Sequence, residues 1–256
     1  LAIHPPATPP ADSPERWTGS TALLDLQDSR IRLRAQSLTQ LCRSDRERVL
    51  AIYSFVKRMP FAKPGKLRFR TAREVLDASR GDADDKGTLF VALLRAAGFP
   101  ARLCYVELHG DILRGLTDAI ESAGRPVVQV WLDDRWASTD TYIFDASYAA
   151  AARRRLERQG WEWGYGLHSK GQMLWDGVND AFLTGGPETS EAVSLGPLGV
   201  FHDPPDFVAS EAYKARYVRI GRVMRWGLVA PGLGRAVDDL RAEAAGPAAP
   251  DQPKPA

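Results

Sequence analysis

The stretch GDADDKGTLFVALLRAAGFPAR, residues 81–102, holds a helix start, a helix body and a helix stop in immediate succession. Asp82 is placed to cap the helix, because its carboxylate can accept from the first unpaired backbone N–H groups. Leu89, Phe90, Leu93, Leu94 and Ala97 recur at helical spacing and predict one apolar face. Gly98 and Pro100 then end the helix, since glycine takes a left-handed C-terminal position and proline cannot continue the ladder. The acids Asp82, Asp84 and Asp85 complement the positive end of the helix dipole rather than signalling a cation site, and Lys86 is expected to pair with one of them. The first helical residue is where a nucleophile would gain most from that dipole. Here it is Ala83.

Upstream of this helix the chain reads as helices. DSRIRLRAQSLTQLC offers Asp28 as a cap, SDRERVLAIYSFVKRM has Ser44 and Glu47 in capping-box spacing, and TAREVLDAS has Thr71 and Glu74 in the same relation. Downstream the pattern changes to strands: residues 101–108, 126–133 and 135–140 carry β-branched and aromatic residues, with Asp133-Asp134 as a tight turn between the last two. Residues 109–125 read as a helical or loop insertion, a helix is expected from about Ala146, and a Gly/Trp-rich irregular stretch runs to about 208. Helices followed by an antiparallel meander packed on the central helix predict an α+β fold, with extra C-terminal helices. Residues 1–17 read as a disordered Pro-rich start, 18–208 as the folded domain, 209–243 as a helical segment and 244–256 as a disordered tail.

The quoted stretch resembles the transglutaminase-like superfamily, which shares the papain-like cysteine-catalysis core. The family pattern G-x-C-x-x-K-[AG]-T-L-x-x-A-L-L-R-A-x-G-[IF]-P-[AC]-R is met almost throughout, except that Ala83 stands where the family has cysteine. The family's histidine opens the second strand in H-x-W-V-E-V; the matching stretch here is RPVVQV, with Arg125 in that place. The family's aspartate closes a G-R-W-x-x-x-D run, matched by DRWASTD and therefore by Asp140. The resemblance spans roughly residues 20–208 and is densest between 71 and 145.

The chemistry of that family explains what is at stake. A helix N-terminus and a neighbouring imidazolium stabilise a thiolate near neutral pH, and an aspartate orients the imidazole. Alanine has no nucleophilic atom, and arginine stays protonated and cannot act as a base. Strand topology predicts that His109, Arg125 and Asp140 meet at the end of the sheet facing Ala83, with an Arg125–Asp140 ion pair filling the old cleft. His109 is a substitute base on one reading and a loop histidine at a strand end on the other. Asp82, Asp84, Trp163, Tyr165 and His168 are the candidate cleft-binding residues, with Gly164–Gly166 at its border. Cys104 reads as a small core residue, Cys42 is given no role, and RGD at 80–82 reads as part of the helix cap.

Composition narrows the partners. A formal net charge of +2 gives no reason to expect nucleic acid, two cysteines make neither a disulfide scaffold nor a metal cluster, and no cofactor is expected. No apolar run is long enough to span a bilayer, and no signal peptide is visible, so a cytoplasmic protein is the default expectation. Arg216, Arg219, Arg222 and Arg225 recur every third residue and form a basic band fit for a protein partner, with a membrane surface the weaker reading. The leading functional expectation is a catalytically degenerate family member that binds a peptide or amide ligand as a binding or scaffold protein. The rivals are a cysteine-dependent amide hydrolase or acyl transferase whose residue 83 was changed to alanine, and a repurposed acid–base enzyme using Asp140 and His109.

Overall fold

The computed structural model describes residues 13–63, 68–186, 189, 191–217 and 222–245. Helices α1 (Ser29–Thr39), α2 (Asp45–Arg58) and α3 (Ala72–Ala78) gather round α4 (Ala83–Ala96), and the chain then enters a sheet, giving the α+β class read from the sequence. The predicted caps organise these helices. Asp28 accepts from the backbone N–H groups of Arg30 and Ile31, and Thr71 and Glu74 form a complete reciprocal box. Ser44 accepts from Glu47 N at 3.2 Å, but the Glu47 carboxylate turns to Arg43 N at 2.7 Å, so that box is only half built. Asp82 and Asp85 make a second complete box at the start of α4.

Every residue of α4 from Asp85 to Arg95 is buried, because helices pack on one side and strands on the other. Burial of this kind requires a partner for each polar group. Lys86, fully buried, donates to the carbonyls of Met59 and Ile143, each at 2.8 Å, rather than to the neighbouring acids as its sequence position suggested. Burial holds its amine well below the usual lysine range.

The main sheet is antiparallel in the order β3-β2-β1-β6. Strands β1 (Ala101–His109), β2 (Ser122–Leu132) and β3 (Arg135–Thr139) form the expected meander, and Asp133 and Asp134 both take positive φ in the turn. Two features differ from expectation. Strand β2 begins at Ser122 rather than Pro126, leaving only a short 3-10 turn (Gly110–Leu113) and loop in the insertion. A fourth strand, β6 (Ser194–Phe201), flanks β1 inside a stretch expected to be irregular. The small hairpin β4 (Trp163–Gly164) and β5 (Leu167–His168) follows α5 (Ala146–Gln159).

The C-terminal part comprises α6 (Pro204–Ala209), α7 (Glu211–Tyr217) and α8 (Arg222–Ala245). Tyr217, Leu233, Val237 and Leu240 are buried in the same core as α4. Arg241 of α8 clamps the Asp145 carboxylate and donates to the Phe61 carbonyl at 3.0 Å, while Glu243 reaches Arg155 and Arg158 at 2.7 and 2.6 Å. Among the described residues no helix is long and apolar enough to cross a membrane.

Candidate functional site

Ala83 opens onto a cleft with a cavity volume of about 170 Å³. The cleft lies between the N-terminus of α4, the β1–β2 end of the sheet and the C-terminal helices. Asp82, Asp84 and Arg125 line it together with Ala83.

Around Ala83 each charged side chain is held. The buried Asp82 carboxylate caps Asp85 N at 3.0 Å and pairs with Lys63 Nζ at 2.7 Å. Asp84 Oδ1 accepts from the Tyr105 hydroxyl at 2.8 Å, and the Asp85 carboxylate accepts from Arg70 at 2.5 Å. Burial, together with the Asp84 charge beside it, pushes the Tyr105 phenol well above its ordinary value, so it stays a hydrogen-bond donor.

Arg125 sits opposite Val106 in the β1–β2 ladder and is 8% exposed. One guanidinium nitrogen reaches Asp140 Oδ2 at 3.1 Å, and the other donates to the Gly166 carbonyl at 2.6 Å. This is the ion pair the strand topology predicted, and it brings the border of the GYG element to the site. Asp140 is 1% exposed and also accepts from Leu183 N at 2.7 Å. Burial pushes its carboxyl above the usual range, with Arg125 and the Leu183 N–H pulling the other way.

Next to this pair, Tyr142 donates to the Pro126 carbonyl at 3.0 Å and Lys57 donates to the Thr141 carbonyl at 2.7 Å. The arrangement can bind and exclude water. It offers neither a nucleophilic atom at residue 83 nor an unlocked base at residue 125.

The structure does not bring His109 to this group. Because β2 starts at Ser122, the ladder runs past Arg125 and pairs His109 with Ser122, three residues or about 10 Å further along. Its imidazole is 53% exposed and faces Asp111 at 3.1 Å, beside a separate surface hollow. Trp163, Tyr165 and His168 also lie outside the cleft lining. The β4–β5 register sets the Trp163 and His168 rings against each other, tilted by 56° with centroids 4.2 Å apart, and burial keeps the His168 imidazole below its ordinary pKa. Tyr165 is buried against Gly115, where a Cβ would come within 2.4 Å of its ring. Tyr165 and His168 are thus buried, and Trp163 packs partly buried beside the hairpin.

Sequence reasoning missed the far wall of the cleft. Phe207, Val208, Tyr213, Tyr217, Leu233 and Val237 come from the C-terminal helices. The helix that carries Tyr213 and Tyr217 is tied to the sheet by Glu107, whose buried carboxylate accepts from Arg216 at 2.7 Å, Ser122 at 2.8 Å and Tyr217 at 3.3 Å. Arg216 is thereby committed within the chain. Arg219 lies outside the described residues, and Arg222 and Arg225 fall on the first turn of α8. Among the described residues no group of three His, Cys, Asp or Glu side chains is placed to hold a metal ion.

Comparison with known proteins agrees with the architecture. The transglutaminase-like superfamily model matches residues 32–141, which run from α1 through β3 to the residue after Asp140. No curated protein matches the chain. A solved structure from Cytophaga hutchinsonii, provisionally named a cysteine protease, is similar at 15% identity and a TM-score of 0.40. That similarity covers 52% of this chain and 41% of the other, so the chain spans less than half of it. With the helix-capped start of α4 and the meander behind it, residues 32–141, less than half of the chain, are similar to the transglutaminase-like superfamily.

Proposed function

We propose that the protein is a catalytically degenerate member of this superfamily, a binding or scaffold protein that has kept the cleft and given up the chemistry. The observation that carries this is the state of residue 125. Arg125 spends both terminal nitrogens on Asp140 and Gly166 inside the fold, opposite a helix that begins with alanine. A guanidinium fixed in this way neither accepts a proton nor turns toward an attacking group. The resemblance implies a peptide or amide ligand for the cleft. A protein partner on the basic residues of the C-terminal segment is a separate proposal, supported by the recurrence of Arg216, Arg219, Arg222 and Arg225 every third residue in the sequence. The cytoplasm is the proposed compartment, supported by Cys42 and Cys104 both being free thiols.

The rival is an acyl-transfer enzyme with cysteine at residue 83. The test compares the chain with Ala83→Cys and with Ala83→Cys combined with Arg125→His, following iodoacetamide labelling at residue 83 against pH by mass spectrometry. The single variant is expected to label as an ordinary thiol, with a pKa near ~8.5. A thiol activated well below that value in Ala83→Cys alone would overturn the binding-protein reading. An acid–base enzyme built on Asp140 and His109 has less support, since the two stand apart and Asp140 is enclosed.

A further inference from the structure

The composition of the cleft walls specifies its ligand more narrowly than the superfamily does. Ile112, Leu113, Leu116 and Ile120, from the turn and loop between β1 and β2, supply aliphatic lining. On another side the rings of Tyr105, Phe207, Tyr213 and Tyr217 follow one another at centroid spacings of 3.8, 5.1 and 4.9 Å. Apolar space of this kind favours apolar occupants, because water inside it finds few partners.

The polar side chains that reach the cleft largely satisfy one another: Asp82 with Lys63, Asp84 with Tyr105, Arg125 with Asp140, and Ser122 and Tyr217 with Glu107. A buried peptide brings a donor and an acceptor at every residue, and each needs a partner. A hydrocarbon chain needs none. The charged residues of the lining are Lys63, Asp82, Asp84 and Arg125, two of each sign, so the cleft as a whole favours neither an anionic nor a cationic ligand.

We infer that the cleft takes a long hydrocarbon chain with a neutral polar head, the chemistry of a fatty-acyl amide. This rests on the binding reading above and narrows its amide ligand to one with an acyl chain. The chain lies along the aliphatic and aromatic walls, and the head stays among the paired charges at the start of α4.

The test uses the full chain and displacement of the fluorophore 1-anilinonaphthalene-8-sulfonate by octanamide, nonanamide and decanamide. Decanoate, decylamine and acetylated, amidated trileucine complete the set. Affinity is expected to rise about fourfold with each methylene, the equivalent of ~0.8 kcal/mol. Decanamide is expected to bind at least tenfold more tightly than decanoate or decylamine. Ala83→Phe, which places a ring in the cleft, should weaken decanamide at least tenfold with an unchanged melting temperature, and Val208→Trp serves if that variant does not fold. A flat dependence on chain length, equal affinity for the charged heads, or displacement by the peptide and not by the amides would each overturn the inference. Release of ammonia from decanamide would instead remove the non-catalytic reading and leave the acyl-chain site standing.

Discussion

The two halves of the cleft are built on opposite principles. Around Ala83 and Arg125 the side chains are charged and bonded, with the buried Asp82, Asp85, Asp140 and Arg125 and the half-buried Asp84 each holding a named partner. Toward the C-terminal helices the walls are mainly aliphatic and aromatic, with Ile112, Leu116, Phe207, Leu233 and Val237 among them. A half whose polar groups are already satisfied has little left to offer a reacting substrate. An apolar half suits an apolar ligand. On the proposed function, the difference separates the residues matched to the family's chemistry from the walls that would hold a ligand.

The sharpest way to break the comparison is to open the charged half. Asp140→Ala leaves Arg125 buried with the Gly166 carbonyl as its remaining named partner, and removal of one member of a buried pair costs about 3–5 kcal/mol. Urea unfolding should show that loss, and Arg125→Met with Asp140→Leu should recover most of it. A loss below about 1 kcal/mol for the single variant would mean the pair does not lock the site.

The next effect is read through pH. Burial lowers the Lys57 amine from 10.5 to about 8. Below about pH 8 both folded and unfolded chains hold this proton, and folding bears the cost of the buried charge. Between there and 10.5 the unfolded chain alone holds it, so stability rises with pH, by up to about 3 kcal/mol. Lys86 contributes in the same direction. Comparing urea midpoints at pH 7.5 and 10, the rise should be clearly smaller in Lys57→Met. Equal rises in both proteins would show that Lys57 is not the titrating group.

The smallest effect is expected where the two halves meet. Ala83→Leu adds three carbons to a helix start that lines the cleft, so stability should change by less than about 0.5 kcal/mol, where a packed core would lose about 1–3. A larger loss on thermal unfolding would mean the cleft is closed at that point.

Much of the fold could be read because its signals are local. Thr71 and Glu74, or Asp82 ahead of an apolar helix, state a cap within four residues, and Asp133-Asp134 states a turn in two. The ion pair of Arg125 and Asp140 was legible because it follows from strand order alone. His109 was misplaced because its neighbourhood depends on where β2 begins, and the sequence Ser-Ala-Gly-Arg before Pro126 carries no strand signal. Strand β6 was missed because SLGPLGVF has two glycines and a proline where a strand would alternate. Trp163, Tyr165 and His168 looked like a platform because composition does not reveal which way a ring turns. The far wall depends on Arg216 meeting Glu107 across 109 residues, and nothing local announces such a contact.

The clamp of Arg241 on Asp145 and the Phe61 carbonyl has a consequence in time as well as space. A chain is made from its N-terminus, and folding begins before synthesis is complete. The helices around α4, the meander and α5 all emerge before residue 222, whereas the clamp joins partners separated by 96 and 180 residues. The greasy interior is therefore walled on its last side only once residues 222–245 have been made. Until then the nascent protein presents Phe61, Phe144 and the lining of the future cleft to its surroundings. For this fold, the 24 residues Arg222–Ala245 decide whether that surface meets its own helix or something else.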